Sequence, residues 1–188
     1  QGGLSLGQRE YYVNKDSANV ALMDAYRKHI VNMFKLFGFS EDKAKKRMER
    51  VIKLETRIAE FSLSRTELRD VEKNYNKMSF YEFKAQYPYF PLDELLKADG
   101  IDKKYVEKLV LGQPKFMAGL NEMIKNMDLE DLRAKLEWEI IDDASSLLSD
   151  AVAEESFDFN GRVKSGRQED YPRWRKATSL VQNILGEP

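Results

Sequence analysis

The sequence contains no cysteine and a single histidine among its 188 residues. Without cysteine, the chain can form neither a disulfide framework nor a thiolate metal site. A catalytic zinc site needs about three protein ligands and an open position for water. The lone His29, at the border of an apolar helix face, is therefore interpreted as a structural or surface histidine. These absences predict that this chain itself binds no metal.

An excess of one charge and long apolar runs are also lacking. The formal net charge is −1, so no basic field is available to attract nucleic acid. The short segment YPRWRK mixes basic and aromatic residues, as single-strand-binding proteins do, and keeps a nucleic-acid module as a third hypothesis. No apolar stretch approaches the about 18 residues of a membrane-spanning helix. We therefore predict neither a nucleic-acid partner nor a membrane segment in this chain.

Catalytic motifs are missing as well. The sequence has no nucleophile elbow and no Walker loop. Glu139 and Asp143 form an E-x-x-x-D pattern on one helix face, but without a pair of histidines this pattern indicates an exposed acidic surface. The residues by themselves predict a helical domain that has no catalytic residue of its own.

What is present is a strong helical period, with 42% hydrophobic and 34% charged residues. A first long helix is predicted to begin near Ser17, capped by Asp16 or Ser17, and to end at Gly38. A second helix follows Ser40. Its mostly apolar face is predicted to consist of Met48, Val51, Ile52, Glu55, Ile58 and Phe61.

The middle of the chain is predicted to contain shorter helices. Ser64 with Glu67, and Ser79 with Glu82, have the spacing of capping boxes. The aromatic residues between Phe80 and Phe90 have two interpretations. They either fill the gaps between short helices or contact a peptide ligand.

The passage YVEKLVLGQPKF carries the only strand-like pattern, and Pro114 is predicted to begin the helix after it. One long helix is predicted from Asp128 into FDF, and FNGRVKSG is predicted to be a loop. Its apolar stripe is predicted to be Leu132, Leu136, Ile140, Leu147, Leu148, Ala151 and Phe157. Pro172 is predicted to introduce a last helix that ends at Gly186.

These patterns predict a mainly α fold: a single irregular multi-helix domain with at most one short strand pair and with its termini close together. The predicted organisation is an entry linker at 1–16, a helical body at 17–158, and a return loop with the last helix at 159–188.

The first residues carry a resemblance to a known family. QGGLSLGQREYY resembles the GLGLP-x-R-D-Y-Y passage of the neprilysin-like zinc metallopeptidases, with a serine, a glycine and a glutamate in place of a glycine, the proline and the aspartate. The matching positions are Gly2, Leu4, Leu6, Arg9, Tyr11 and Tyr12.

The rest of the chain carries the resemblance further, in the same order and at similar spacing. FDFNGRVKSG is similar to that family's F-x-G-x-x-L-S-G passage, and YPRWRK to its P-R-W-(K/R)-R. The family's L-E-x-x-(I/L)-A helix and Y-N-(K/P)-M segment are matched by Leu54, Glu55, Ile58 and Ala59, and by Tyr75, Asn76, Lys77 and Met78. Trp138 stands where the family has a tryptophan on its long helix.

The resemblance implies that the chain is the helical lid domain of a zinc metalloendopeptidase that hydrolyses peptides. Its partners would be peptide substrates and a thermolysin-like catalytic domain. In that family the H-E-x-x-H and E-x-x-x-D motifs that hold zinc lie downstream of the R-W helix. We therefore expect zinc in the parent enzyme, none in this chain, and no activity of the chain alone.

Six residues are expected to form a joint where the chain passes from the catalytic body into the lid and back. They are Arg9, Glu10, Tyr11, Tyr12, Arg173 and Trp174. The tyrosines and the tryptophan would anchor the joint, and the two arginines could hold carboxylates in bidentate fashion.

One alternative from another class stays open: a free-standing helical module that binds a protein or peptide without catalysis. As to source, the lack of cysteine favours a bacterium over the disulfide-rich animal members. The lack of cysteine fits a reducing compartment but leaves the compartment open, and the resemblance to the family implies an extracytoplasmic location, periplasmic or secreted.

Overall fold

The computed structural model describes residues 2–186, which form a mainly helical fold. The ten α-helices in that range are α1 Glu10–Val13, α2 Ser17–Leu36, α3 Glu41–Phe61, α4 Arg65–Leu68, α5 Phe80–Gln86, α6 Leu92–Ala98, α7 Pro114–Lys125, α8 Leu129–Ala144, α9 Asp150–Ser156 and α10 Arg173–Leu185. Short 3₁₀ segments lie at Lys103–Tyr105 and Ser145–Leu147, and a π-helix at Phe157–Val163. Strands β1 Asn76–Ser79 and β2 Lys108–Leu111 form one antiparallel pair. The predicted fold class is confirmed.

The helix ends follow the local chemistry of the sequence. The Asp16 carboxylate accepts a hydrogen bond from the backbone N–H of Asn19 and caps α2, and Gly38 ends that helix region at φ +86°. Both predicted capping boxes, at α4 and α5, are present in full. Hydrogen bonds from Ser79 lower the pKa of the Glu82 carboxyl below its ordinary value, because they favour its charged form.

Long-range contacts divide the chain into two compact units. Unit 1 consists of residues 1–15 and 53–132, and unit 2 of residues 16–52 and 133–188. The predicted single-domain organisation, its internal boundaries and the closeness of the termini stay predictions; Gln1 and Pro188 lie outside the described residues.

Two apolar clusters lie among the described residues of unit 1. The first joins α3 to α7 through Leu54, Ile58 and Met123. The second packs α5 against one face of the strand pair through Phe83, Tyr87 and Leu111. Buried side chains of this kind contribute about 1.5–3 kcal/mol each.

Unit 2 is built around Trp138, which is fully buried on α8. The ring of Tyr26 meets it edge-on at 5.9 Å between centroids. The ring of His29 does the same at 5.5 Å, and Phe159 stacks on His29 at 4.8 Å. The edge-to-face geometry is the one that aromatic quadrupoles favour.

The prediction of one long helix from Asp128 was wrong. The structure ends α8 at Ala144 and inserts a 3₁₀ turn before α9. The Ser145 hydroxyl donates to the carbonyl of Asp142 at 2.7 Å, and this local bond competes with the helical backbone pattern. Leu148 then adopts an extended conformation.

The predicted apolar stripe of this helix was also largely wrong. The residues that α8 buries include Ala134, Trp138 and Ile141. Leu136, Ile140, Leu147 and Leu148 of the predicted stripe are exposed. The buried face of α8 differs from the predicted stripe because Trp138, the largest side chain available, determines which face of the helix packs into the core.

The predicted loop FNGRVKSG is instead mostly a π-helix. Its Gly161 lies directly under the ring of Phe157, since a β-carbon at 161 would be 2.1 Å from Phe157 Cδ2. Glycine is needed there because no larger residue leaves room for that ring.

A second glycine gives a test of close packing in unit 1. A β-carbon at Gly119 on α7 would lie 2.2 Å from Cγ and 2.6 Å from Cβ of Phe61. Alanine favours helices over glycine by about 1 kcal/mol, yet overpacking costs about 1–3 kcal/mol. We therefore expect Gly119→Ala to lower the free energy of unfolding in a denaturant titration.

The control is Gly112→Ala, whose new β-carbon would meet the carbonyl oxygen of Asn74 at an ordinary 3.7 Å. We expect this variant to unfold at nearly the wild-type denaturant concentration. Adding Phe61→Leu to Gly119→Ala should restore little, since the Phe61 β-carbon remains in place. A fully stable Gly119→Ala variant would contradict the close contact.

Candidate functional site

The N-terminal segment of unit 1 is fixed to α3 by one buried carboxylate. The side chain of Glu55 is 0% exposed. Its Oε2 accepts a hydrogen bond of 2.8 Å from the hydroxyl of Tyr12. Its Oε1 accepts one of 2.6 Å from the hydroxyl of Ser5. A buried carboxylate needs such donors, because burying it without partners costs several kcal/mol.

Tyr12 connects this carboxylate to the chain before it. While its hydroxyl donates to Glu55, the same oxygen accepts the backbone N–H of Leu6 at 3.1 Å. Both Leu6 and Tyr12 are buried. The segment is therefore held by its backbone and by its side chains.

Two glycines allow the backbone of the N-terminal segment to turn sharply. Gly3 and Gly7 both have φ +85°, in the left-handed region. The N–H of Gly7 donates to the carbonyl of Leu4 at 2.9 Å and closes a tight turn. The prediction that glycines permit a sharp backbone path here agrees with these angles.

The other predicted joint residues of unit 1 lie on or beside helix α1. Arg9 precedes the helix, and its Nε donates to the carbonyl oxygen of Ala59 at 3.4 Å. The bidentate pairing of Arg9 with a carboxylate stays a prediction. Glu10 and Tyr11 are half-buried in the first turns.

These contacts explain the L-E-x-x-I-A pattern on α3. Leu54 and Ile58 belong to the apolar cluster, Glu55 receives the N-terminal segment, and the carbonyl of Ala59 receives Arg9. Sequence reasoning placed Glu55 on the apolar face of this helix but gave it no role. A glutamate within an otherwise apolar face was the available signal, since such a residue is buried only with partners.

The two remaining joint residues, Arg173 and Trp174, begin helix α10 in unit 2. Trp174 is 69% exposed, and no residue of α10 between 173 and 185 is buried. Trp174, Val181 and Leu185 are separated by seven and four residues, so they lie on one side of the helix. Their side forms an exposed apolar surface, which we call the α10 stripe. That Arg9–Tyr12 and Arg173–Trp174 form one joint stays a prediction.

The segment leading into α10 is held by a chain of arginine–aromatic contacts. The guanidinium carbons of Arg162 and Arg167 lie 4.8 and 5.3 Å from the ring centre of Phe157. Those of Arg167 and Arg175 lie 4.5 and 4.2 Å from the ring centre of Tyr171. Each contact of this kind contributes about 0.5–1 kcal/mol at exposed sites.

An ion pair closes the same segment. Asp170 pairs with Lys176 on α10. Partial burial raises the pKa of the Asp170 carboxyl, but hydrogen bonds from Lys176 and from the backbone of Tyr171 outweigh it, so the pKa lies below its ordinary value. The carboxylate therefore stays charged, which preserves the pair.

The aromatic residues between Phe80 and Phe90 serve mainly as packing. Phe80, Phe83 and Tyr87 are buried, and only the latter two join the cluster under the strand pair. Tyr81 is 82% exposed. The interpretation of this region as filler between short helices fits most of its rings, and Tyr81 is a separate surface residue.

The residues present do not fit a zinc site. His29 is 2% exposed, and its Nδ1 lies 2.9 Å from Oε1 of Glu155. Its Nε2 is buried without a hydrogen-bond partner. The rings of Trp138 and Phe159 pack against the imidazole. Among residues 2–186, no group of three or more His, Asp or Glu side chains could hold a metal. The interpretation of His29 as a structural histidine agrees with its position.

The bond between Tyr12 and Glu55 can be tested by removing one oxygen atom. Tyr12→Phe leaves a buried carboxylate oxygen and the Leu6 N–H without this partner, which costs about 1–3 kcal/mol. We expect the free energy of unfolding to fall by that amount. Tyr11→Phe is the matched control, because the Tyr11 hydroxyl makes no hydrogen bond within the described residues.

A double-mutant cycle with Glu55→Gln then measures the coupling between the two side chains. We expect the two substitutions together to cost clearly less than the sum of the single costs. Additive effects, or equal losses in the Tyr11 and Tyr12 variants, would contradict the role of Glu55 as the anchor. The measurement is chemical unfolding followed by circular dichroism.

Known structures share this fold over nearly the whole chain. The zinc metalloprotease Zmp1 of Mycobacterium tuberculosis, in complex with an inhibitor, superimposes with a TM-score of 0.91 at 28% sequence identity. The match covers 99% of this chain and 28% of that protein. The N-terminal segment, the two long helices and α10 are therefore parts of a shared architecture.

Curated relatives give the same result from sequence. Endothelin-converting enzyme 1 of Bos taurus is 25% identical over 191 residues, which cover 99% of this chain and 25% of the relative. Neprilysin-2 of Drosophila melanogaster is 25% identical over 190 residues, covering 100% of this chain and 24% of the relative. The chain thus spans about a quarter of the length of the relatives it matches.

A family model matches the full chain. It is described as peptidase family M13, and its N-terminal model aligns with residues 1–188. The family's motifs at both ends coincide with the anchored segment around Tyr12 and with the start of α10. The chain belongs to peptidase family M13, the neprilysin-like metallopeptidases.

Proposed function

We propose that this chain is the helical lid domain of a neprilysin-like zinc metalloendopeptidase that hydrolyses peptides. The observation that carries the proposal is the match of an M13 N-terminal model to all 188 residues, combined with coverage of only a quarter of each relative. The lid would form a wall of the substrate chamber and a size filter that admits peptides.

Zinc belongs to the proposal only as a cofactor of the parent enzyme. The described residues supply a single, buried histidine and no set of metal ligands. We therefore assign metal binding and bond cleavage to the part of the parent that lies outside this chain. No step of the reaction is assigned to residues 2–186.

The anchored N-terminal segment and the α10 stripe suit the role of a joint. Glu55 fixes the first segment to α3 by hydrogen bonds, and the ends of a domain usually lie at its surface and close together. The α10 stripe presents Trp174, Val181 and Leu185 to solvent, and exposed apolar patches mark interaction sites. We assign the stripe to contact with the catalytic domain.

The location of the parent is proposed as extracytoplasmic, in the periplasm or the medium of a bacterium. In the part of the chain that the structure describes, no helix has the length and apolar character to cross a bilayer. The cysteine-free composition supports the bacterial source, and the location itself is carried over from the resemblance to the neprilysin-like family.

The coding sequence after Pro188 is the most direct test of the proposal. We expect it to continue into H-E-x-x-H and E-x-x-x-D motifs. The isolated chain should fold, should retain no zinc after dialysis, and should cleave no peptide, because it lacks the ligand set. A reading frame that ends near Pro188 would favour the free-standing binding module, and stoichiometric zinc in the isolated chain would contradict the assignment.

The α10 stripe gives a second prediction. Val181→Asp places a charge in the centre of the stripe, and desolvating that charge in an interface costs several kcal/mol. In the longer protein we expect peptidase activity and thermal stability to fall together. The isolated chain should keep most of its stability, because Val181 is exposed there.

The control is Gln182→Asp, which adds the same charge one residue on, about 100° around the helix. We expect the longer protein to tolerate this variant. Equal losses in both variants would show that charge on α10, and not its apolar surface, is the cause. Unchanged activity of Val181→Asp would remove the stripe from the domain contact.

A further inference from the structure

The strand pair of unit 1 has one face in the core and one face in solvent. Across the pair, Met78 is opposite Leu109, and Lys77 is opposite Val110. Met78 and Leu109 pack on the cluster of Phe83, Tyr87 and Leu111. Val110 on the other face is 51% exposed. Since side chains alternate along a strand, one face is apolar and buried and the other is open.

The register also determines where the backbone groups point. The N–H of Phe80 donates to the carbonyl of Glu107 at 3.2 Å, which makes these two a hydrogen-bonded pair. Hydrogen-bonded pairs alternate with non-bonded pairs along an antiparallel ladder. The backbone groups of Lys108 and Val110 therefore point away from β1, toward the outer edge of β2.

That outer edge is available for pairing. The sheet has two strands, and in the described residues the N–H and carbonyl groups of Lys108 and Val110 make no other hydrogen bond. On the outer edge of β1, by contrast, the N–H of Ser79 is already occupied by the Glu82 carboxylate at 2.7 Å. Within residues 2–186, β2 is therefore the strand whose two outward-facing residues, Lys108 and Val110, both have unoccupied N–H groups.

The charges around this edge favour one kind of partner. Lys77 and Lys108 occupy diagonal positions on the open face, and neither has a carboxylate partner among residues 2–186. A strand laid beside β2 would present alternate side chains to these lysines and the others to the apolar side of Leu109 and Leu111. Acidic residues fit the first set, and apolar residues fit the second.

We propose that the outer edge of β2 binds an extended peptide in which acidic and apolar residues alternate. The peptide adds a third strand to the sheet, as in other cases of β-strand addition. Its backbone pairs with Lys108 and Val110, and its acidic side chains face Lys77 and Lys108. This site lies within unit 1 and does not depend on the proposed function of the parent enzyme.

Fluorescence anisotropy with a labelled peptide of the sequence Glu-Val-Glu-Val-Glu-Val, blocked at both ends, tests the proposal on the isolated chain. We expect saturable binding that weakens with salt, and much weaker binding of the matched Lys-Val peptide. Val110→Pro removes the outward N–H without removing a bond to β1. Loss of one such bond corresponds to about a fivefold weaker affinity.

Lys77→Pro is the matched control, because it removes an outward N–H from the other edge. Because this variant also removes the ammonium group of Lys77, Lys77→Ala is tested beside it, and we expect these two variants to bind the acidic peptide equally. Lys108→Glu should abolish the preference for the acidic peptide, because the new carboxylate offsets the charge of Lys77. A peptide N-methylated at alternate residues tests the backbone contacts without changing the protein, and only one of the two alternate sets should abolish binding.

Several results would overturn the proposal. They are equal binding of acidic and basic peptides, weaker binding by Lys77→Pro than by Lys77→Ala, or tolerance of both N-methylated sets. Peptide-independent dimerisation that Val110→Pro abolishes would assign the edge to a second copy of the chain instead. Sedimentation velocity of the free chain distinguishes that case.

Discussion

The buried carboxylate of Glu55 is the interaction on which the order of unit 1 depends. The Glu55 side chain is fully buried, and its two oxygens accept hydrogen bonds from the hydroxyls of Tyr12 and Ser5. Those donors lie 43 and 50 residues earlier in the sequence, so release of the N-terminal segment would remove hydrogen bonds from a buried polar side chain, which is costly. The short, glycine-containing N-terminal segment thereby adopts one defined conformation.

In unit 2, aromatic rings and not a buried carboxylate hold the packed segments together. Trp138 collects Tyr26 and His29, and Phe159 on the π-helix stacks on the histidine. The π-helix in turn needs Gly161 because Phe157 lies over it. The family motif F-x-G thus corresponds to two packing requirements: Phe159 stacks on His29, and Gly161 leaves room for Phe157. The guanidinium groups of Arg162 and Arg167 then pack on Phe157 and continue these contacts toward α10.

Local signals allowed much of the fold to be predicted, and long-range packing limited the rest. The caps at Asp16, Ser64 and Ser79 act over a few residues, so their patterns predicted helix ends correctly. The break after Ala144 and the exposed face of α8 follow from Trp138 and Ser145, whose effects depend on contacts that periodicity does not contain. The β1 strand was missed because NKMS has no strand-like pattern without its partner. Motifs located the anchored segment, but not the carboxylate that anchors it.

The exposed state of α10 has a consequence for how the helix forms. A helix of thirteen residues with no buried side chain has a length at which isolated helices are only marginally stable in water. Its backbone amides should therefore exchange with solvent readily in the isolated chain and slowly once the stripe is covered. Under the proposed contact of the stripe with the catalytic domain, helix formation and domain assembly form a single linked equilibrium, in which each stabilises the other.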